Sequence, residues 1–342
     1  MNKKIKVYFI WHWQKKTSEE LKGAFAAFDS MIHAIALLSK DPGYSVKILT
    51  VSNANHGPFE SVEQGINYVF FKTAEEIANF MKNDQPDFLF LNHHSRGYRK
   101  FIKELVKLKA KKTIYYSASI IYKNPFKQYV TKHHKKLDFH MVHHEYQKQQ
   151  LIDKFKIDSS KIIIAPKTAD LDLFKEMKME KKWDCIYPCR GGERSCKRPM
   201  IAINACKILS KSICFPGAKF KGNYPWVTTF EKWQTPEDLS VLYNQSRCLV
   251  ITSNYKEMGP RVIMEAAACN LPIVCCSDSP ANVSHVTKLG GFIAEPNPED
   301  VARKIQLALK TKVDYRSHLN ELGLDYELVY RKVKDILDGE IN

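Results

Sequence analysis

Apolar residues along this chain fall into two patterns. Short unbroken runs alternate with longer stretches in which apolar positions recur every three or four residues. Ile5–Ile10, Val46–Val51, Asp87–Leu91, Thr113–Tyr116 and Lys161–Pro166 are runs of the first kind. They are too short for helices and too continuously apolar for half-exposed strands, so they predict strands buried on both faces. Between the first two runs come a polar loop, Gln14–Gly23, and a helical pattern over Ala24–Leu38. Arg99–Lys112 predicts a basic helix with Phe101, Ile102, Leu105 and Val106 on one face and its lysines in water. The second half repeats the rhythm. Trp183–Cys189 predicts a strand, Met200–Ser210 a helix, Cys248–Ile251 a strand, Arg261–Cys269 a helix, Leu271–Cys276 a strand and Pro298–Leu309 a helix. Asn270 suits a helix C-terminus, since Asn tolerates the left-handed conformation. Strand and helix in alternation predict an α/β fold, and 342 residues suit two Rossmann-like domains.

Composition changes this picture in three places. The chain is 44% hydrophobic, enough for two cores, yet no apolar run has the length of a membrane-spanning helix. The opening MNKKIKVYFIWHW reads as a first strand and not as a secretion signal. All nine cysteines lie at or beyond Cys185. The spacing of Cys185, Cys189 and Cys196 fits no zinc pattern, so buried, reduced thiols in the cytosol are expected. The net charge is +16, and it is uneven: residues 1–182 carry +13 and residues 183–342 carry +3. The densest stretch, Arg96–Lys136, has 13 basic residues and one acid, Glu104. A field of this size attracts a polyanion or an anionic membrane surface.

The candidate chemistry lies in Leu249–Ser277, which predicts strand, loop, helix and strand. Ligands of such units bind where the loop meets the helix, at the carboxyl ends of the strands. Glu257 stands in the loop and Glu265 about two helical turns later, on one side if the helix covers both. Paired carboxylates accept hydrogen bonds from vicinal hydroxyls; alternatively, the first is a helix-dipole acid and the second faces solvent. The stretch Glu257-Met-Gly-Pro-Arg-Val-Ile-Met-Glu265-Ala-Ala-Ala-Cys-Asn-Leu-Pro-Ile-Val resembles the donor site of the retaining GT-B glycosyltransferases, glycosyltransferase family 4. Their signature is Glu, seven residues, Glu, then a helix of small residues and a Leu-Pro strand. Here Met258, Gly259 and Pro260 replace the usual aromatic segment, and Asn270 replaces a Gly.

The resemblance extends over about Ile5–Leu337 and implies the rest of the site. Glu265 holds the ribose and Glu257 the sugar hydroxyls, with Gly259, Pro260 and Arg261 completing the donor loop. In Arg190-Gly-Gly-Glu-Arg-Ser-Cys-Lys197-Arg198-Pro199, Arg190 and Lys197 correspond to the cations beside the diphosphate; Arg194 or Arg198 could take the place of Lys197. Fixed cations lower the barrier as the leaving diphosphate gains charge. Gly23 matches the N-terminal glycine loop. His93 and His94 follow a strand where the family has a cleft-facing His, or are simply polar loop residues. Ser117 stands where members often carry an acceptor-side His. His144 stands where a Ser is usual, and Asp170 and Phe174 match the turn closing the first domain. Pro236–Tyr243 and Gly290–Pro296 correspond to a helix and a strand of the second.

The resemblance implies two domains facing a cleft. The first spans 1–175, and a linker follows near Lys175–Lys182. The donor domain spans 183–325, and a last helix, Tyr326–Leu337, starts a segment, 326–342, that crosses back to the first. It also implies transfer of a sugar, with retained configuration, to a hydroxyl of a glycan or lipid-linked acceptor. With no Asp-x-Asp motif, no metal is expected as a cofactor. The basic first half suits an anionic membrane surface, with peripheral attachment at its inner face. It equally suits nucleic acid, such as hydroxylated bases of phage-like DNA, since Tyr115, Tyr116, Tyr122, Phe126 and Tyr129 interleave its lysines. A non-catalytic binding protein on the same scaffold is the rival of another class.

Overall fold

The computed structural model describes residues 4–10, 30–51, 59–63, 65–92, 110–116, 134–189, 195–220, 222–232, 234–257 and 261–339. They form two compact units, Met1–Pro166 with Glu327–Asn342, and Lys167–Tyr326.

The first unit is built on an eight-stranded sheet. Its strands are β1 (Ile5–Ile10), β2 (Tyr44–Val51), β3 (Phe59–Glu63), β4 (Ile66–Phe71), β5 (Phe88–Asn92), β6 (Lys112–Tyr116), β7 (Phe139–Val142) and β8 (Ile162–Ile164). Their spatial order is β3-β4-β2-β1-β5-β6-β7-β8. All pairings are parallel except the β3–β4 hairpin. The continuous apolar runs have a direct cause: the sheet is covered on both faces, and successive side chains enter opposite cores. Val7, Phe9, Ile48, Phe90 and Ile114 join one cluster. Tyr8, Ile10, Leu49, Leu91 and Tyr115 join the other.

Helices α1 (Ser30–Lys40), α2 (Ala74–Asn83) and α3 (Glu145–Phe155) follow β1, β4 and β7. Helix α2 is fixed at its start by Thr73, whose hydroxyl accepts from the backbone N–H of Glu76. The predicted helix over Ala24–Leu38 is described only from Ser30 onward, and most of Arg99–Lys112 lies outside the described residues. Lys112 is not helical; it opens β6.

Two expectations change here. Tyr115 and Tyr116 are each 2% exposed, one in each core, so neither can offer a ring to a base. The first-domain boundary expected at 175 moves to Pro166. Residues beyond it are fastened to the second unit: Phe174 enters its core, Ser240 donates to the Leu173 carbonyl, and the Arg316 guanidinium donates to the Leu171 and Phe174 carbonyls. The last helix, α10 (Leu328–Asp338), counts with the first unit despite its place in the chain. Val329, Val333, Ile336 and Leu337 form its apolar stripe and pack in the cluster that holds Met31 and Ile35 of α1. The Tyr44 hydroxyl donates to Asp338 at 2.6 Å and closes its far end.

The second unit has six parallel strands: β9 (Cys185–Ile186), β10 (Ile213–Pro216), β11 (Val227–Phe230), β12 (Leu249–Ile251), β13 (Ile273–Cys276) and β14 (Phe292–Ala294). Their order is β11-β10-β9-β12-β13-β14. Helices α4 (Pro199–Leu209), α5 (Pro236–Asn244), α6 (Val262–Ala268), α7 (Pro280–Lys288), α8 (Pro298–Ala308) and α9 (Tyr315–Glu321) complete it. The order grows outward in both directions from the β9–β12 pair. That pair is therefore a topological switch point, where loops after neighbouring strands part and leave a crevice at the carboxyl ends.

Candidate functional site

The loops leaving β9 and β12 carry the two described residues expected to act on the donor. Lys197 precedes α4, and Glu257 follows β12. Sixty positions apart in sequence, they meet because β9 and β12 are neighbours: Lys197 Nζ lies 2.6 Å from Glu257 Oε2. The side chains are only 12% and 21% exposed, so Lys197 is not part of a solvated basic loop. An ammonium has three donors. One engages Glu257 in this geometry, and two remain for anionic oxygens.

Each partner is held through its backbone. The Lys197 carbonyl accepts from the Tyr187 hydroxyl at 2.7 Å and from Thr252 Oγ1 at 3.1 Å. Tyr187 Oη also lies 2.9 Å from Ser253 Oγ. Glu257 closes a turn: its N–H donates to the Asn254 carbonyl at 2.9 Å, and the Asn254 side chain accepts from the Lys256 N–H at 3.0 Å. The Asn254 N–H in turn donates to the Cys196 carbonyl at 2.9 Å. The two loops are thus stitched to each other by main-chain bonds as well as by the ion pair.

Arg198 takes a different part from the diphosphate cation for which it was one alternative. Its guanidinium forms a bidentate pair with Asp278, at 2.7 and 2.6 Å, and its Nε donates to the Thr252 carbonyl at 2.8 Å. Asp278 follows β13, so this one side chain joins the ends of three strands.

Glu265 lies apart from this contact. Helix α6 begins at Val262, so Glu257 is outside it and the seven-residue spacing between the acids is not a helical one. The Glu265 carboxyl is 4% exposed and accepts from the Tyr243 hydroxyl at 2.9 Å. Burial raises its pKa above the usual carboxylate range, while the Arg261 charge and the Tyr243 hydrogen bond pull it down. Arg261 is the residue preceding α6, and its carbonyl accepts from the Glu265 N–H. The end of α6 bears out the reading of Asn270. It has φ 52°, its N–H donates to the Ala267 carbonyl, and that of Leu271 donates to Ala266, as in a Schellman closure.

Gly23, His93, His94, Ser117, Arg190, Gly259 and Pro260 lie outside the described residues. Among the described residues, no group of three His, Cys, Asp or Glu side chains is arranged to hold a metal ion, and no helix is long and apolar enough to cross a membrane. The cysteines are thiols, eight buried and Cys196 half-buried. Burial pushes Cys214 and Cys269 up to about 12, which removes them from thiolate chemistry near neutral pH. Four residues of the constellation escape sequence reasoning: Tyr187, Thr252, Tyr243 and Asp278. For Thr252 a signal existed, since Thr252-Ser253 places two hydroxyls directly after an apolar strand, and both are fully buried.

Two parallel-sheet α/β domains with this switch-point geometry constitute the GT-B fold. Residues 226–323 match the family described as "Glycosyl transferases group 1", so the second unit contains a domain of that group. Among solved structures, sucrose-phosphate synthase from Thermosynechococcus elongatus is similar with a TM-score of 0.75 at 12% identity, over 98% of this chain and 99% of that one. A glycosyltransferase from Rickettsia africae ESF-5 gives 0.72 at 16% identity over 97% of both chains. Anabaena Alr3699/HepE in complex with UDP gives 0.70 at 12% identity, over 98% of this chain and 100% of that one. At such identities the likeness is one of fold. No curated protein sequence matches the chain significantly.

Proposed function

We propose that this chain transfers a sugar from a nucleotide-sugar donor with retention of configuration, and that the donor binds at the carboxyl ends of β9 and β12. The observation that carries the reading is the Lys197–Glu257 pair at the switch point, beside a domain of the glycosyl transferases group 1. Breaking a glycosidic bond to a nucleoside diphosphate leaves negative charge on the leaving oxygens. The Lys197 ammonium, largely out of water and with donors to spare, stabilises that charge more than an exposed lysine does. Arg190 is the second cation, and in this reading side chains do the work of a metal ion. Glu257 and Glu265 are the Glu-x7-Glu pair of family 4: Glu257 meets sugar hydroxyls and Glu265 the ribose, with Gly259, Pro260 and Arg261 forming the donor loop and Gly23 against the phosphate. The HepE complex with UDP fits this choice of ligand. The acceptor hydroxyl attacks on the face the diphosphate leaves, which retains the configuration.

The acceptor in this reading is a glycan or lipid-linked hydroxyl at an anionic surface, engaged by the basic first unit. The density of cations in Arg96–Lys136 supports it. Burial of Tyr115 and Tyr116 weakens the competing DNA reading by removing two of its five stacking residues. The test is donor hydrolysis across a panel of UDP-, GDP-, ADP- and dTDP-sugars, followed by binding to anionic liposomes and to duplex DNA. Diphosphate release from one donor, with liposome binding lost when Lys127, Lys132, Lys135 and Lys136 become Glu, is expected. No release from any donor by folded protein contradicts the transfer. Tight, steeply salt-dependent DNA binding with liposomes ignored contradicts the acceptor.

A further inference from the structure

Four non-glycine residues among those described adopt positive φ: Lys156, Arg198, Ser210 and Asn270. Lys156 and Ser210 are the C-caps of α3 and α4, and Asn270 directly follows that of α6. A left-handed residue there satisfies helix carbonyls. Arg198 alone opens a helix. It is the N-cap of α4 at φ 48°, ψ 50°, and its side chain makes no capping bond. A Cβ-bearing residue in this conformation is disfavoured, and a Gly would adopt it without cost. Something in the side chain must offset the difference. It is the bidentate pair with Asp278 and the Nε bond to the Thr252 carbonyl. The same Thr252 sends its hydroxyl to the carbonyls of Lys197 and Arg198, at 3.1 and 2.8 Å.

We infer that Arg198 is a positioning residue for Lys197. Clamped between Asp278 and Thr252, it fixes the backbone of the loop so that the neighbouring ammonium stands against Glu257 and toward a diphosphate. The clamp has an electrostatic side too. With its charge matched by Asp278, Arg198 does not compete with Lys197 for Glu257. A planar, forked guanidinium suits this task; the point charge of a lysine cannot span a carboxylate and a carbonyl at once.

The inference rests on the reading of Lys197 as a diphosphate ligand, and the experiment separates the two. Titrate UDP, GDP and ADP into wild type, Lys197→Ala, Arg198→Gly, Asp278→Asn and the double variant Lys197→Ala/Arg198→Gly, with circular dichroism to confirm folding. Arg198→Gly keeps the left-handed backbone accessible while removing the clamp, and Asp278→Asn weakens the clamp from the other side. Lys197→Ala is expected to weaken binding of the preferred nucleotide ~10- to 100-fold. Arg198→Gly and Asp278→Asn are expected to weaken it roughly tenfold, as for a misplaced contact. In the double variant, loss of the clamp should add nothing to loss of the ammonium, because it acts through it. Folded Arg198→Gly and Asp278→Asn proteins with wild-type affinity, or an additive double variant, overturn the positioning role. Unchanged affinity in Lys197→Ala overturns the diphosphate reading itself, and the inference with it.

Discussion

The two ends of the second unit's sheet use the same residue types for different work. At the amino ends of the strands, Asp184, just before β9, accepts from the backbone N–H of Ser212 and lies 3.3 Å from Lys211 and 3.4 Å from Arg247. Close by, Arg247, Pro272 and Lys312 are among the residues lining a cavity of about 500 Å³. These groups tie strand starts together, and their cations are 36% and 46% exposed. At the carboxyl ends the direction reverses. Buried hydroxyls of Tyr187 and Thr252 bond to the backbone of Lys197, and the side chain they present is engaged by a single acid, Glu257. At one end side chains hold the fold; at the other the fold holds a side chain. Ion pairs of similar length therefore have different worth. The exposed pairs are screened and contribute little, while the sheltered one sits where charge develops during transfer.

Substitutions sharpen this contrast. The largest effect is expected for Glu257→Gln. Turnover of the preferred donor should fall about 10²–10³-fold, ~2–4 kcal/mol in the transition state, while the melting temperature changes little, because a loop carboxylate at a ligand site adds little to folding. Turnover close to wild type would remove Glu257 from the site.

Next is Tyr243→Phe, which takes the hydrogen bond from a buried carboxyl. A loss of ~1.5–3 kcal/mol in unfolding free energy is expected from denaturant titration, together with weaker nucleoside binding through a looser Glu265. An unchanged midpoint would show that the Glu265 carboxyl needs no support from α5.

Glu265 also predicts a pH dependence. Its pKa is raised in the folded protein, chiefly by burial. Between the unfolded and folded values the folded state binds the extra proton. The stabilisation is thus full below the unfolded value, near 4.5, and is lost as pH rises through the folded value. Glu265→Gln should accordingly melt higher than wild type at pH 8, with the gap closing toward pH 4, and yet bind the nucleotide more weakly. A lower melting temperature at pH 8 would contradict the sign. The smallest effect is expected at the amino end: Lys211→Ala should cost ~0.2–1 kcal/mol of stability and leave turnover unchanged in a steady-state assay.

How much of this is legible in the sequence differs by element. Strands β1, β5, β12 and β13 announce themselves because burial on both faces leaves no polar interruptions. Strand β11 does not: its residues, Val-Thr-Thr-Phe at the sheet edge, are half-exposed or exposed and form no apolar run. Helix α2 carries its signal in Thr73 and Glu76 rather than in apolar content, so a search for apolar periodicity passes over it. Helix α9 is seven residues long, too short for a period to show. The site is split in the same way. Glu257 and Lys197 are visible as residue types in suggestive loops. Their contact depends on β9 and β12 being neighbours, and the Arg198–Asp278 pair spans eighty positions; long-range pairing of this kind leaves no local mark. The helix start at Val262 is hidden too, which is why spacing alone puts both acids on one helix.

The claim that the donor binds at the carboxyl ends of the second sheet has a direct measurement, hydrogen exchange by mass spectrometry with and without the preferred nucleoside diphosphate. The account predicts slower exchange in peptides covering 195–202, 252–257 and 261–268, and no change in those covering 211–214, 246–248 and 308–314. Protection confined to the latter group would place the ligand in the cavity at the amino ends and contradict the account.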